Sequence, residues 1–134
     1  MKYRVIALVI LVAADLFFYQ DVTSSMPDGY RGMSAAQAHA ELALNPEAHI
    51  LDIRTPAEFV EGHLEHAVNI DFYARSFEAD LGKLDKSALY FIYCRSGNRS
   101  SQALNILEKL GFTRVWHLAD GIIDWERDGL PLVR

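Results

Sequence analysis

Leu89-Tyr90-Phe91-Ile92-Tyr93 leads into Cys94-Arg95-Ser96-Gly97-Asn98-Arg99-Ser100, and the stretch from Ser101 to Leu110 follows. Five consecutive apolar residues have the length of a fully buried strand. Ala103, Leu104, Ile106, Leu107 and Leu110 keep a helical spacing and give one apolar stripe. Gly111 stands where a left-handed cap would end that helix. The stretch therefore reads as strand, tight loop and helix, with the chain's only cysteine at the strand's carboxyl end.

The same alternation extends on both sides. Met33-Ser34-Ala35-Ala36-Gln37 predicts a helix start, with Ser34 and Gln37 as a capping box and Met33 stapled over Ala38. Ala38 and Leu42 mark its buried face, and Asn45-Pro46 ends it. His49 to Ile53 is a short apolar run, read as a strand. Thr55, Pro56 and Glu58 then form a second helix start, with Phe59 and Val60 expected to pack inward and Gly62 as the stop. Ala67-Val68-Asn69-Ile70 reads as another strand, and Phe72 to Leu84 as a helix through Phe77, Leu81 and Leu84. Past the loop, Arg114 to Leu118 reads as the last strand, with Trp116 and the later Trp125 expected in the core. Gly121 to Arg127 reads as a short final helix. Strands alternating with helices predict an α/β fold with a parallel sheet covered on both faces. In such sheets ligands gather beyond the carboxyl ends of the strands, where Cys94 lies.

Length and composition agree with one domain. The chain has 134 residues, is 51% hydrophobic and carries a net charge of −5. Without a basic stripe, nucleic acid is not expected as a partner. One cysteine excludes an internal disulfide and an all-cysteine metal site. At the N-terminus, Lys2 and Arg4 precede an apolar run from Val5 to Ala14 that resembles a signal peptide. An uncleaved anchor through Tyr19 is the alternative, although spanning helices usually need roughly 17–25 residues and Asp15 is costly in lipid. An ordinary strand or helix of the domain is the third reading. The expected organisation is residues 1–20 as signal peptide or membrane anchor, 21–30 as linker and 31–134 as the domain. Positive charge before the apolar run places the domain outside the cytoplasm, with a cytoplasmic protein as the alternative.

A lone cysteine is often a small buried hydrophobe. Here its neighbours argue otherwise. The loop feeds a helix N-terminus, whose free N–H groups favour negative charge. Arg95 and Arg99 add two cations, and Gly97 permits an anion nest of backbone N–H groups. Ser100 is expected either to cap the helix or to reach into the cradle. Such surroundings favour the thiolate, the nucleophilic form of cysteine. Cysteine phosphatases place their Arg six positions after the Cys, whereas Arg99 follows Cys94 by five. The smaller cradle suits one added sulfur atom better than a tetrahedral phosphate.

Cys94 to Ser100 resembles the active-site loop of the rhodanese family of sulfurtransferases. Leu51 to Phe59, Gly62-His63, Ala67 to Ile70, Gly121 to Trp125 and Gly129-Leu130-Pro131 match in order. The resemblance covers about residues 31 to 133. It implies a rhodanese-like three-layer fold around a five-stranded parallel sheet, and a thiosulfate sulfurtransferase. Cys94 would attack the outer sulfur of thiosulfate, release sulfite, and pass its persulfide sulfur to cyanide or a thiol. Arg95 and Arg99 would hold the anionic donor, and the backbone from Arg95 through Ser96, Gly97 and Asn98 to Arg99 would stabilise the terminal sulfur, with Ser100 beside them. No metal or organic cofactor is implied. The expected partners are a small anionic sulfur donor and a thiophilic acceptor, with membrane association through the N-terminal segment and a monomeric state.

Two departures stand out. Glu65-His66 replaces a common Pro-Gly, and Asp120-Gly121 replaces a common Gly-Gly. Asp120 is expected near the site mouth, where its carboxylate would repel anionic donors. Asp52 and Arg54 read as a salt bridge bracing the loop, and His63 as a structural hydrogen-bonding residue rather than a zinc ligand with His66. Three competing readings remain at this level: a non-catalytic persulfide carrier or docking module, a phosphatase or arsenate reductase, and a membrane-tethered binding scaffold.

Overall fold

The computed structural model describes residues 26–134. Five strands alternate with helices: β1 (Tyr30–Met33), α1 (Ala35–Leu44), β2 (His49–Asp52), α2 (Pro56–Glu61), β3 (Val68–Asn69), α3 (Phe77–Gly82), β4 (Leu89–Tyr93), α4 (Asn98–Lys109), β5 (Arg114–Leu118) and α5 (Gly121–Arg127). The strands form one sheet in the order β1-β5-β4-β2-β3, and every pairing is parallel. The expected α/β fold, with a five-stranded parallel sheet between helices, is the observed one.

β4 is the central strand, and all five of its residues are buried. Alternation along a strand sends successive side chains to opposite faces. Leu89, Phe91 and Tyr93 join a cluster with Ala35 and Ala38 of α1 and Ile122 and Trp125 of α5. Tyr90, Ile92 and then Cys94 join the opposite cluster, with Phe77 and Leu81 of α3 and Ala103, Leu104 and Leu107 of α4. Cys94 thus continues the face that α4 covers. Full burial of a side chain such as Ile92 or Leu107 contributes roughly 1.5–3 kcal/mol before entropy is counted, so the strand that delivers the thiol is held by the densest part of the core.

Both capping boxes form: Ser34 with Gln37, and Thr55 with Glu58. Trp116 and Trp125 are buried as expected. Four local readings change. β1 begins at Tyr30, inside the stretch read as linker, because its backbone pairs with β5 and the Tyr30 hydroxyl donates to the Phe112 carbonyl at 2.8 Å. The helix expected from Phe72 begins only at Phe77. Phe72 N–H is drawn to the Ile53 carbonyl (3.1 Å), and Asp71 accepts from Tyr73 N–H (2.9 Å), so this segment prolongs strand pairing and then turns. α4 starts at Asn98, three residues earlier than the stripe suggested, because Gly97 turns the chain directly into it. α2 buries no side chain: Val60 is exposed, and Phe59 stacks on the His63 ring instead of entering the core. The signal-peptide or anchor reading of residues 1–20, and the linker as far as 25, lie outside the described residues.

Candidate active site

β4 ends in Tyr93, and the next residue, Cys94, is 1% exposed. Its Sγ accepts the Gly97 N–H at 3.1 Å and the Ser100 N–H at 3.4 Å. The Ser100 hydroxyl lies 3.7 Å from the same sulfur. Ser100 sits inside α4, so it reaches into the cradle and does not cap the helix. The cap position falls to Gly97, in the left-handed region at φ 93°, and a Cβ there would overlap the Ala119 carbonyl oxygen. Only glycine supplies both the conformation and the close approach.

The chain after β5 fastens this loop from the other side. Ile122 N–H donates to the Cys94 carbonyl (2.9 Å), and Ile123 N–H to the Arg95 carbonyl (3.2 Å). Gly121, at φ 68°, packs against Arg95 so closely that a Cβ would collide with its carbonyl. The Cys94 and Arg95 carbonyls therefore point towards α5, while the Gly97 and Ser100 N–H groups meet the sulfur. Charge on that sulfur meets donors already in place, the arrangement that stabilises developing negative charge without reorganisation.

A sulfur that accepts two loop N–H groups, on the strand–loop–helix of a five-stranded parallel sheet, agrees with the sequence match to the Rhodanese-like domain, which spans residues 34–128. The chain belongs to the rhodanese-like domain family. A sulfurtransferase of Allochromatium vinosum is 39% identical over 92 residues, covering 69% of this chain and 84% of that protein. A tRNA uridine(34) hydroxylase of Cronobacter sakazakii is 33% identical over 122 residues, 84% of this chain but 34% of that enzyme. The chain thus spans about a third of such hydroxylases. Among solved structures, a rhodanese-related protein from Thermoplasma volcanium superposes with TM-score 0.65 at 30% identity, covering 78% of this chain and 98% of that one. The rhodanese-like domain of an Anabaena protein gives TM-score 0.65 at 27% identity, over 80% of this chain and 78% of that one.

The two arginines of the rhodanese loop separate. Arg99 does not turn into the cradle. It makes a bidentate pair with Glu58, at 2.8 and 3.0 Å, with its guanidinium over the Tyr73 ring. Glu58 is also the capping-box residue of α2, taking the Thr55 N–H and hydroxyl. One carboxylate thus caps a short helix and clamps the Cys94–Ser100 loop. The Arg99 hydrogen bonds hold its carboxyl down at about 2, against a partial burial that works the other way. Arg95 is exposed and has no ion-pair partner among the described residues. It lines a cleft of about 390 Å³ with Arg54, Glu58, Glu61, Ile122, Ile123 and Glu126. Ser96 and Asn98 are exposed, and the Asn98 carbonyl takes the Ser101 hydroxyl inside α4.

This pair gives a pH-dependent expectation. A depressed carboxylate pKa adds stability that is complete above its unfolded value and lost as pH falls through the folded one. Glu58→Gln is therefore expected to cost about 1–2 kcal/mol at neutral pH, the value of a partly buried bidentate pair discounted for its remaining exposure. The difference from wild type should shrink between the ordinary carboxylate value of 4.5 and about 2. Urea unfolding across that window reads it.

Asp52 and Arg54 form the salt bridge that their alternation on the strand end suggested, and it holds Tyr93, the residue before Cys94. Asp52 is fully buried and accepts from Arg54 backbone N–H (2.9 Å), Arg54 Nε (3.0 Å), Arg54 Nη2 (2.6 Å) and the Tyr93 hydroxyl (2.7 Å). Arg54 also donates to the Gly62 carbonyl, and Asn69 donates to the Asp52 and Arg54 carbonyls. Burial, reinforced by Asp52, pushes the Tyr93 hydroxyl far above its ordinary range, so it stays a donor. His63 Nδ1–H donates to the Phe59 carbonyl (2.9 Å), and its backbone bridges Val133. His66 points elsewhere, exposed beside Glu65. Asp120 is exposed at the start of α5 and makes no capping hydrogen bond. Its neighbours Ala119 and Gly121 both pack against the loop, which places it at the cradle's rim. The Arg99 role of Glu58, and the contact of His117 with Ser100 at 3.0 Å, were not anticipated from the sequence. A histidine inside an apolar strand was the available signal for the second.

Proposed function

We propose that this protein is a sulfurtransferase that moves sulfane sulfur through a Cys94 persulfide. The observation that carries the reading is the sulfur itself, accepting the Gly97 and Ser100 N–H groups in a loop whose Arg99 follows Cys94 by five positions. With thiosulfate, the Cys94 thiolate attacks the outer sulfur. A new S–S bond forms, the old one breaks, and sulfite leaves with the electron pair. A thiophilic acceptor, cyanide or a thiolate, then takes the terminal sulfur and returns the thiolate. The N–H groups around Sγ stabilise the anionic sulfur at both stages.

Two measurements test this. Intact-mass analysis after thiosulfate should show one added sulfur atom on Cys94, released by cyanide. Steady-state thiocyanate formation should saturate with thiosulfate. An unmodified mass under both conditions would reject the reading. The sulfurtransferase relative of Allochromatium vinosum supports the reaction class; the choice of thiosulfate as donor belongs to the proposal.

A second reading has its own observation. With Arg99 engaged by Glu58, Arg95 is left in a cleft with Glu61 and Glu126, and Asp120 stands exposed just before Gly121, which packs on Arg95. That balance suits a protein or thiol donor better than a small dianion, so a persulfide carrier serving a partner protein is the alternative. It predicts sulfur loading from a protein persulfide with slow thiosulfate turnover. In either case Asp120→Gly should lower the KM for thiosulfate about three- to five-fold, with kcat unchanged and a smaller effect at high salt. An unchanged KM would remove Asp120 from donor selection. Placement outside the cytoplasm and membrane association are part of the same proposal. They rest on Lys2 and Arg4 before the apolar run, and a topology reporter fused after residue 30 tests them.

A further inference from the structure

His117 is a buried imidazole to which the transfer chemistry above gives no task. It lies on β5 opposite Gly32 of β1. A Cβ at position 32 would stand 3.3 Å from Nε2, so the glycine leaves the ring its space. Nδ1 faces across to α4 and meets the Ser100 hydroxyl at 3.0 Å. Ser100 Oγ has two further neighbours, the Gly97 carbonyl at 3.1 Å and Cys94 Sγ at 3.7 Å. A serine hydroxyl has one proton to donate and two lone pairs to accept with. The three neighbours therefore compete for that proton, and His117 decides the competition. With a proton on Nδ1, the ring donates to Oγ, and the hydroxyl proton goes to the Gly97 carbonyl or, when the sulfur is charged, to the sulfur. Without one, Nδ1 attracts the hydroxyl proton and leaves an oxygen lone pair facing the sulfur.

We propose that His117 is a positioning residue for sulfur transfer, acting through Ser100 to set whether that hydroxyl donates to, or accepts from, the Cys94 sulfur. The anionic sulfur states, thiolate and persulfide, select the donating arrangement. The neutral thiol selects the accepting one. No net proton transfer is needed, because the neutral ring has a single N–H that either nitrogen can carry. The surroundings leave this choice to the ring. Burial alone holds the imidazole below its ordinary value, favouring the neutral form. The charged groups on the packed elements are occupied elsewhere: Arg31 of β1 with Glu41 and Trp116, Arg99 of α4 with Glu58, and Arg114 of β5 with the Ser87 carbonyl. Glu108 and Lys109 lie at the far end of α4, on its exposed side. Cys94, reached through Ser100, is the titratable group this ring addresses.

The inference deepens the sulfurtransferase reading and rests on it for its purpose. Its test does not, because it reads the thiol directly. The rate of Cys94 alkylation by iodoacetamide is followed against pH in the full chain. His117→Phe and Ser100→Ala should each slow alkylation at neutral pH by about ten-fold, the loss of one hydrogen bond to a charged acceptor. The double variant should be no slower than either single one, since the two residues act as one path. His117→Asn keeps a nitrogen donor near Nδ1 but cannot titrate. It should restore nearly the wild-type alkylation rate, which a merely space-filling role for the ring would not predict. The asparagine also keeps the test open should phenylalanine fail to pack. Wild-type rates in folded His117→Phe, additive losses in the double variant, or a loss in His117→Asn as large as in His117→Phe would each overturn the proposal. Altered alkylation together with no sulfur loading from any donor would instead uphold the His117–Ser100 path and reject the sulfurtransferase reading.

Discussion

Cys94→Ser is expected to abolish sulfur transfer, by about 10³-fold or more, while leaving the fold nearly as stable as wild type. The loss follows from the atom exchanged. A serine hydroxyl is a weak nucleophile without an adjacent base. Any base reached through Ser100 would have to be His117, which burial keeps from charging. The retained stability follows from the cradle. Sγ accepts N–H groups from Gly97 and Ser100, and an oxygen can take over both. Cys94→Ala makes the comparison sharp. It removes the nucleophile equally but leaves those two donors inside a buried loop without an acceptor. Each unsatisfied buried donor costs about 1–3 kcal/mol. The alanine variant should therefore unfold at distinctly lower denaturant than the serine variant, although neither transfers sulfur. Thiocyanate formation and urea midpoints on the pair measure both halves. Equal midpoints would show that the N–H groups do not depend on the sulfur, and residual turnover in Cys94→Ser would move the nucleophile elsewhere.

What the sequence made legible was local. The strand before Cys94, both capping boxes and the final helix depend on neighbours within a few positions, and all stand where the pattern placed them. What it concealed depends on partners far along the chain. β1 contains Arg31 and Gly32 and is too short and mixed to read as a strand; parallel pairing with β5, more than eighty positions on, makes it one. Phe72 looked helical by spacing, but the Ile53 carbonyl claims its N–H first. Arg99 looked like a free cation of the anion cradle. Its charge was visible, yet the bidentate acceptor, Glu58, lies 41 positions earlier and already had a local role as a helix cap. The cradle is consequently less cationic than the motif alone implies, and backbone N–H groups carry more of its work. His117 escaped for the same reason. Alternation on β5 announces a buried side chain, but only the register that brings α4 over β5 shows which hydroxyl it meets.

Asp52→Ala is expected to be the most destabilising single change in this part of the molecule, about 3–5 kcal/mol. The carboxylate is fully buried, and it satisfies the Tyr93 hydroxyl and three donors of Arg54. Removing it strands a buried guanidinium, and that uncompensated charge costs more than the pair itself contributes. Arg54 would keep the Gly62 carbonyl as a partner, and Tyr93 the Leu64 N–H, but neither replaces a charge. The double variant Asp52→Ala with Arg54→Met should recover much of the loss, because the charge is removed with its partner. Function should suffer in the single variant beyond stability. Tyr93 immediately precedes Cys94, and Asp52 is paired in register with Tyr93 across the β2–β4 ladder. A loosened strand end would spoil the alignment of Sγ with the Gly97 and Ser100 N–H groups, so kcat should fall several-fold even at temperatures where the variant remains folded. Urea unfolding of both variants, with thiocyanate turnover measured well below their midpoints, separates the two effects. A double variant no more stable than Asp52→Ala would show that the hydrogen bonds, and not the stranded charge, hold the end of β4 in place.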